Sequence, residues 1–199
     1  MISVNESPRE KWDARYGQLA APCAPGLLWL DTCGVPMPVT GPALDVAAGH
    51  GIVALWMAVR GLSVVAVDIS SVGLKLVDEG AQREFVTVDT REMDLEQEAL
   101  PEGPFNFVTC FNYWQRDLFP QFATCVQPGG FLALEIATTT NLERNPHPSR
   151  VWLAEPGEVE QRVRDLQVFE ICVSSEGWFS GRHVSRLVAR RPNSQPLPG

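Results

Sequence analysis

Lysine is nearly missing from this chain: Lys11 and Lys75 are the only two among 199 residues. Acidic side chains number 24 against 16 Lys+Arg, for a formal charge of −8. No polybasic patch is present to hold an anionic membrane, and no basic footprint to displace counterions from nucleic-acid phosphates. Long apolar runs are missing too. The longest, Ile52–Val59, is far below the ~20 residues that span a bilayer. The opening MISVNESPREKWDARYG holds no apolar stretch of the kind a secretion signal needs. Five cysteines leave one over in any disulfide scheme and form no C-x-x-C pair, and Cys110 and Cys125 read as small core residues. A reduced, cytoplasmic compartment is expected. No His, Cys, Asp or Glu group has metal-ligand spacing, and no G-x-S-x-G elbow anchors a hydrolase triad.

What is present is ordinary globular composition, 45% apolar and 20% charged, in a length that suits one domain and leaves no room for a second, substrate-binding one. Residues 5–17 predict a short helix, with Asn5 or Ser7 as cap and Pro8 in the first turn. Residues 18–41 are rich in Pro, Gly and Cys, with GLLWL as one or two helical turns. From residue 42 strands and helices alternate: ALDVA, LSVVAVD, EFVTVD, FNFVTCF and GGFLALEIAT read as strands. IVALWMAVRG, SSVGLKLVDEGA, WQRDLFPQFATCV and GEVEQRVRDL read as helices. Near-continuous apolar strands between helices imply an α/β fold, a single Rossmann-like open sheet, mostly parallel, with helices on both faces. VFEICVSSEG and HVSRLVARRP have only a loop between them, so they should pair as an antiparallel C-terminal hairpin. The expected organisation is one domain over residues 1–191, with 1–41 as N-terminal helix and lid-like segment, 42–191 as cofactor-binding sheet core, and 192–199 as a disordered tail.

The segment Asp45-Val46-Ala47-Ala48-Gly49-His50-Gly51 lies where the first strand turns into the next helix. Gly49 and Gly51 let backbone approach a ligand, and the helix start offers free N–H groups. Asp68 ends the second strand, 17 residues after Gly51, where a carboxylate can accept from both ribose hydroxyls. GHGIVA satisfies the dinucleotide pattern G-x-G-x-x-A, so an NAD(P)-binding oxidoreductase is one reading. Asp45 at the mouth of the site favours a ligand bearing an ammonium group over a pyrophosphate, which it would repel. The hairpin and the short chain favour S-adenosylmethionine in the same way.

With Asp45-x-Ala47-x-Gly49-x-Gly51, the chain resembles class I S-adenosylmethionine-dependent methyltransferases, whose usual motif is acidic-x-Gly-x-Gly-x-Gly. WDARY, VDIS, MDLEQEALPEGPFNFV, FNYWQRDLFPQF, QPGGFLALEI and NPHPSRVWLAEPGEV are similar to segments of small methyltransferases of the tellurite-resistance type. The resemblance implies methyl transfer from S-adenosylmethionine to N, O or S of an acceptor, giving S-adenosylhomocysteine. It implies that Asp45 faces the methionine amino group and that Ala47, Gly49 and Gly51 supply backbone contacts. Asp68 would hold the ribose and Ile69 pack on adenine. Asp94 and Leu95 would meet the adenine edge, with Asp89 as rival for Asp94, and Phe111 would line the methyl-transfer site. Ala47 replaces the first Gly, and Asn106 stands where the family has Asp.

Trp12 and Tyr16, spaced i and i+4, share a helix face and either pack the helix down or form a lid over the cofactor; the resemblance favours the lid. Acceptor-facing candidates are Tyr16, Tyr113, Arg116 and His147, with Arg144 and Arg150 nearby in the loop. No general base stands out. The acidic balance points to a small-molecule acceptor rather than nucleic acid. A cofactor-binding module without turnover is the third reading, prompted by Ala47 and Asn106.

Overall fold

The computed structural model describes residues 7–19 and 24–193. Its strands are β1 (Pro42–Val46), β2 (Ser63–Asp68), β3 (Val88–Glu92), β4 (Phe105–Phe111), β5 (Val126–Ala137), β6 (Glu170–Phe179) and β7 (Arg182–Arg190). They form one sheet in the order β3-β2-β1-β4-β5-β7-β6. β1 to β5 pair in parallel, and β7 runs antiparallel to both β5 and β6. This is the open, doubly covered sheet that the alternating pattern predicts. The helices are α1 (Pro8–Tyr16), α2 (Ile52–Ala58), α3 (Ser71–Arg83), α4 (Leu118–Cys125) and α5 (Glu158–Asp165). Leu55 and Trp56 of α2 and Val77 of α3 pack with Ala43, Ala66 and Phe107 on one face. Phe122 of α4 and Val163 of α5 pack with Leu44, Val108 and Leu134 on the other.

The chain winds one way from β1 to β3 and the other way from β4 to β5, so the strand order reverses between β1 and β4. Ligand crevices in open α/β sheets lie at the carboxyl ends of strands at such a reversal. Asp45, next to last in β1, and Phe111, last in β4, lie there.

Local boundaries depart from expectation in three places. The third strand is shifted from EFVTVD to Val88–Glu92, because α3 continues to Arg83 and Phe85 (φ +57°) breaks the chain out of helix. As an edge strand β3 buries only Val88, so apolar content does not mark it. The fourth helix starts at Leu118 rather than near Trp114, which places Pro120 in the first turn, where its missing N–H is not needed. The hairpin strands extend toward each other until only Ser180 and Gly181 remain between them, both at positive φ (+49° and +80°), as a tight two-residue turn requires.

α1 is closed by a capping box: Ser7 Oγ accepts from the Glu10 N–H, and Glu10 accepts from the Ser7 N–H. It buries no residue fully, so polar contacts dock it. Asp13 Oδ1 accepts from Ser70 Oγ at 2.5 Å and from the Val72 N–H at 3.3 Å, at the start of α3, and Arg9 pairs with Glu92. At the other end of the chain, Arg191 donates from one guanidinium nitrogen to the Ala123 and Val126 carbonyls. The expected tail beyond it falls, after Asn193, outside the described residues. Cys23 also falls outside them; Cys33, Cys110, Cys125 and Cys172 are free thiols.

Candidate active site

Asp45 faces the α2–α3 side of the sheet and is 2% exposed. One carboxylate oxygen accepts from Thr109 Oγ1 at 2.7 Å; the other, Oδ2, is buried and has no hydrogen-bond partner. Burial raises the carboxyl, the Thr109 hydroxyl and the nearby Ala54 N–H oppose the rise and Asp68 adds to it, leaving it at about 7. Asp68 is buried as well. Its Oδ2 accepts from the Gly49 N–H at 2.7 Å and its Oδ1 from the Ser70 N–H at 2.9 Å, which ties the β1–α2 turn to the β2–α3 turn. Desolvation still raises its pKa against these bonds, and Asp13 adds to the rise. The result is a buried pair of carboxylates with one unmet oxygen on Asp45.

Backbone geometry explains the small residues. Ala47 takes φ +55°, a left-handed conformation that suits glycine, so the single departure from the glycine pattern carries real strain. Gly51 lies at φ +92°, and a Cβ there would meet Val77 at 2.7 Å. A Cβ on Gly49 would meet the Tyr16 hydroxyl at 2.7 Å, and one on Gly73 would meet the Gly49 carbonyl at the same distance. Tyr16 therefore lies directly on the glycine turn, stacked with Trp12 (5.6 Å between ring centroids) and next to His50 (5.7 Å). Burial raises the Tyr16 hydroxyl pKa and lowers that of His50. Asp13, Ser70, Gly73 and Thr109 belong to this constellation and were missed by sequence reasoning. Only Gly73 carried a signal, since a glycine inside a helix costs about 1 kcal/mol and asks for a packing reason.

Other candidates scatter. Asp89 sits near the start of β3, exposed and paired with Arg91 at 2.6 Å, whereas Asp94 follows the end of that strand and accepts from the Glu96 N–H. Ile69 is half-buried beside Asp68, and Leu95 is buried, with its carbonyl accepting from Gln115 Nε2. Tyr113 donates to Gln115 Oε1 at 2.7 Å, and Gln115 in turn holds the Leu95 carbonyl. The turn is made at Asn112, which sits at φ +61° and sends the chain to the α4 face. Arg116 is held by both oxygens of Glu158 (2.7 and 2.8 Å), which Arg162 also binds, and this keeps the Glu158 carboxyl at about 2 despite its partial burial. That arginine serves the packing of α5. Arg150 pairs with Glu155, Arg144 lies 4.0 Å from the Trp178 ring centroid, and His147 is exposed, its carbonyl accepting from Asn141. Asn106 bonds to the Thr40 carbonyl and Gln127, a structural role.

Phe111 is half-buried and nearly parallel to Trp29 of the 3-10 turn Trp29–Asp31, with ring centroids 6.1 Å apart and 19° between planes. Arg186 lies 5.5 Å from the Trp29 ring centroid and donates to Glu135 Oε2 at 2.8 Å. Two surface grooves, of about 500 and 400 Å³, lie along α5 and beside Ala99–Gly103, away from the glycine turn.

Known proteins resemble this chain in sequence and in fold. Residues 43–130 match the family profile described as a methyltransferase domain. A ubiquinone biosynthesis O-methyltransferase of Burkholderia multivorans is 33% identical over 96 residues, covering 45% of this chain and 41% of that one. The chain thus spans about two-fifths of the length of the curated relatives it matches. A structure described for the conversion of a disulfide bond into a thioacetal group during echinomycin biosynthesis superposes with a TM-score of 0.69 at 16% identity, over 94% of this chain and 93% of that one. Magnesium protoporphyrin IX methyltransferase from Synechocystis, solved with S-adenosylhomocysteine bound, superposes with a TM-score of 0.63 at 17% identity, over 92% and 82%.

Proposed function

We propose that this chain, which matches a methyltransferase-domain profile over residues 43–130, is a class I methyltransferase that transfers a methyl group from S-adenosylmethionine to a small-molecule acceptor. The observation that carries the reading is the buried carboxylate pair at a two-glycine turn, with Asp45 Oδ2 left without a partner. An ammonium and a sulfonium would answer that charge, whereas a pyrophosphate would be repelled by it. The alternative of a nicotinamide dinucleotide, drawn from GHGIVA, meets the wrong sign of charge here.

In this reading Asp45 binds the amino group, and the turn at Ala47, Gly49 and Gly51 brings backbone against the ligand. Asp68 accepts from the ribose hydroxyls with the lone pairs that its two backbone bonds leave over. Ile69 packs on the adenine, Asp94 and Leu95 meet its polar edge, and Phe111 flanks the reacting methyl. Trp12 and Tyr16 on α1 close the site from above and exclude water; α1 buries nothing fully, so it lifts at low cost to admit the cofactor. When bound, the cofactor supplies a methyl group on a sulfonium, an activated leaving group. The chain then has mainly to align the acceptor in line with it.

The curated relatives are named as O-methyltransferases, which supports oxygen as the accepting atom. The charge of −8 supports a small acceptor over nucleic acid. Among the described residues no helix is long and apolar enough to cross a membrane. The four free thiols support a reduced, cytoplasmic setting. Thermal-shift measurements with S-adenosylhomocysteine, NAD and NADP test the proposal: only the first should raise Tm. A rise with a dinucleotide alone would overturn it.

A further inference from the structure

Beyond β4, the α2–α3 face of the sheet is covered by a strap of chain. Leu28, Trp29, Cys33, Val35 and Met37 pack there against the core that holds Ala133 of β5 and Val188 of β7, and Val173 of β6 packs on the same core. Residues 32–41 of the strap form no helix or strand. Asp31 ties the strap to α2 by accepting from Trp56 Nε1 and Arg60. No backbone ladder joins it to β6, so it can adjust its position against that strand.

β6 is an edge strand, and its register slips between Ile171 and Val173. Cys172 is therefore the extra residue of a bulge. Residues two apart on a strand normally share a face. Here Ile171 packs on the α4–α5 core and Val173 on the α2–α3 core, so the bulge switches faces. Alternation from Ile171 puts Cys172 on the α2–α3 face, the side that the strap covers. Arg190 of β7, 5.6 Å from the Phe131 ring centroid, lies on that face as well. Burial holds the Cys172 thiol above its usual range. The Arg190 cation pulls it down, and Glu170 and Cys33 push it further up, so Cys33 lies within electrostatic reach.

The two thiols differ from the others described. Cys110 and Cys125 are buried in the α4–α5 core, whereas Cys172 is exposed and Cys33 half-buried. Cys33 Sγ donates to the Leu30 carbonyl at 3.3 Å and Cys172 Sγ to the Glu170 carbonyl at 3.8 Å. Thiols are weak donors, so losing these hydrogens on oxidation costs little.

We propose that Cys33 and Cys172 form a reversible disulfide that staples the strap to the edge strand, with a low-molecular-weight disulfide such as oxidised glutathione as oxidant. The exposed Cys172 thiol loses its proton and attacks one glutathione sulfur, so the glutathione S–S bond breaks and one glutathione thiolate leaves. Cys33, deprotonated in turn, attacks the Cys172 sulfur of this mixed disulfide and expels the second glutathione. Two protein thiols are oxidised, one disulfide is reduced, and the two protons end on the two glutathione thiols. In a reducing compartment the pair stays open, and it closes when the thiol poise turns oxidising. Trp29, on the same strap, is stacked with Phe111, so the staple also fixes the wall beside the carboxyl end of β4. This inference stands independently of the methyltransferase reading.

The test incubates the full chain with oxidised glutathione at about pH 8, where thiolate is more abundant than at neutral pH. It then counts free thiols, maps linked peptides by mass spectrometry and measures Tm. Wild type should lose two thiols and give a single linked peptide pair joining Cys33 to Cys172. Its Tm should rise by about 5–10 °C, because the bond closes most of the chain into a loop, and dithiothreitol should reverse the rise. Cys33→Ser and Cys172→Ser should each keep the reduced Tm within about 2 °C of wild type and show no rise on oxidation. Retention of both thiols in wild type, or arrest at a glutathione adduct, overturns the proposal. So does a linkage through Cys23, Cys110 or Cys125 or between two chains, and so does an equal Tm rise in Cys172→Ser.

Discussion

Asp45 and Asp68, at the carboxyl ends of β1 and β2, are buried carboxylates that form no ion pair among the described residues. Glu135, at the same edge of the sheet on β5, is held by Arg186 at 2.8 Å. The two regions lie on one face and are separated by a single strand, β4. A buried charge is costly unless paired. The first region therefore carries a standing electrostatic cost that a cationic ligand would offset, while the charges of the second are already paired. On this comparison the strain sits at the β1–β2 carboxylates and not at the β5–β7 ion pair.

The comparison breaks most visibly at Asp45. Its carboxyl is raised to about 7 in the fold from an ordinary value of 3.8. The stability this favours is fully present below about pH 4 and is lost as pH rises through 7. Asp45→Asn should remove that decline, leaving the apo protein more stable than wild type at pH 8 by roughly 2–4 kcal/mol, at about 1.4 kcal/mol per pH unit. Urea unfolding at pH 4 and pH 8 reads the difference. A variant whose pH dependence matches wild type would show that Asp45 carries no such strain.

Next in size is Gly51→Ala, which adds a Cβ at positive φ against Val77. It should cost about 2–3 kcal/mol in denaturant unfolding, from left-handed strain plus overpacking. At the β5–β7 ion pair, Arg186→Met leaves Glu135 unpaired and should cost about 2 kcal/mol, less than for a fully buried pair because both groups keep some exposure. Adding Glu135→Gln should restore most of that loss, a recovery that a double-mutant cycle measures. The smallest effect is a gain: Ala47→Gly relieves a left-handed alanine and should stabilise by about 0.5 kcal/mol, after the entropy cost of glycine is subtracted.

Much of the first region was legible in the sequence. Asp45, the glycine turn and Asp68 sit at fixed offsets from two buried apolar strands, so local spacing alone places them at one crevice. The sheet was legible for the same reason: buried parallel strands are continuous apolar runs. β3 was misplaced because an edge strand that buries only Val88 leaves no such run. The second region was hidden because register, not spacing, builds it. Glu135 and Arg186 are 51 residues apart and meet only through the β5–β7 pairing, and Trp29 arrives from a segment with no periodicity. Asp13 reaches Ser70 across 57 residues in the same manner. Tyr113 shows what a strand's end leaves unread: the left-handed turn at Asn112 and the hydrogen bond to Gln115 set its direction, and neither is visible in spacing.

The most direct test of the anionic crevice as a cofactor site is calorimetric titration of S-adenosylhomocysteine into wild type and Asp68→Ala. Loss of two good hydrogen bonds to the ribose should weaken binding at least tenfold, about 1.4 kcal/mol or more. Equal affinities in the two proteins would contradict the account.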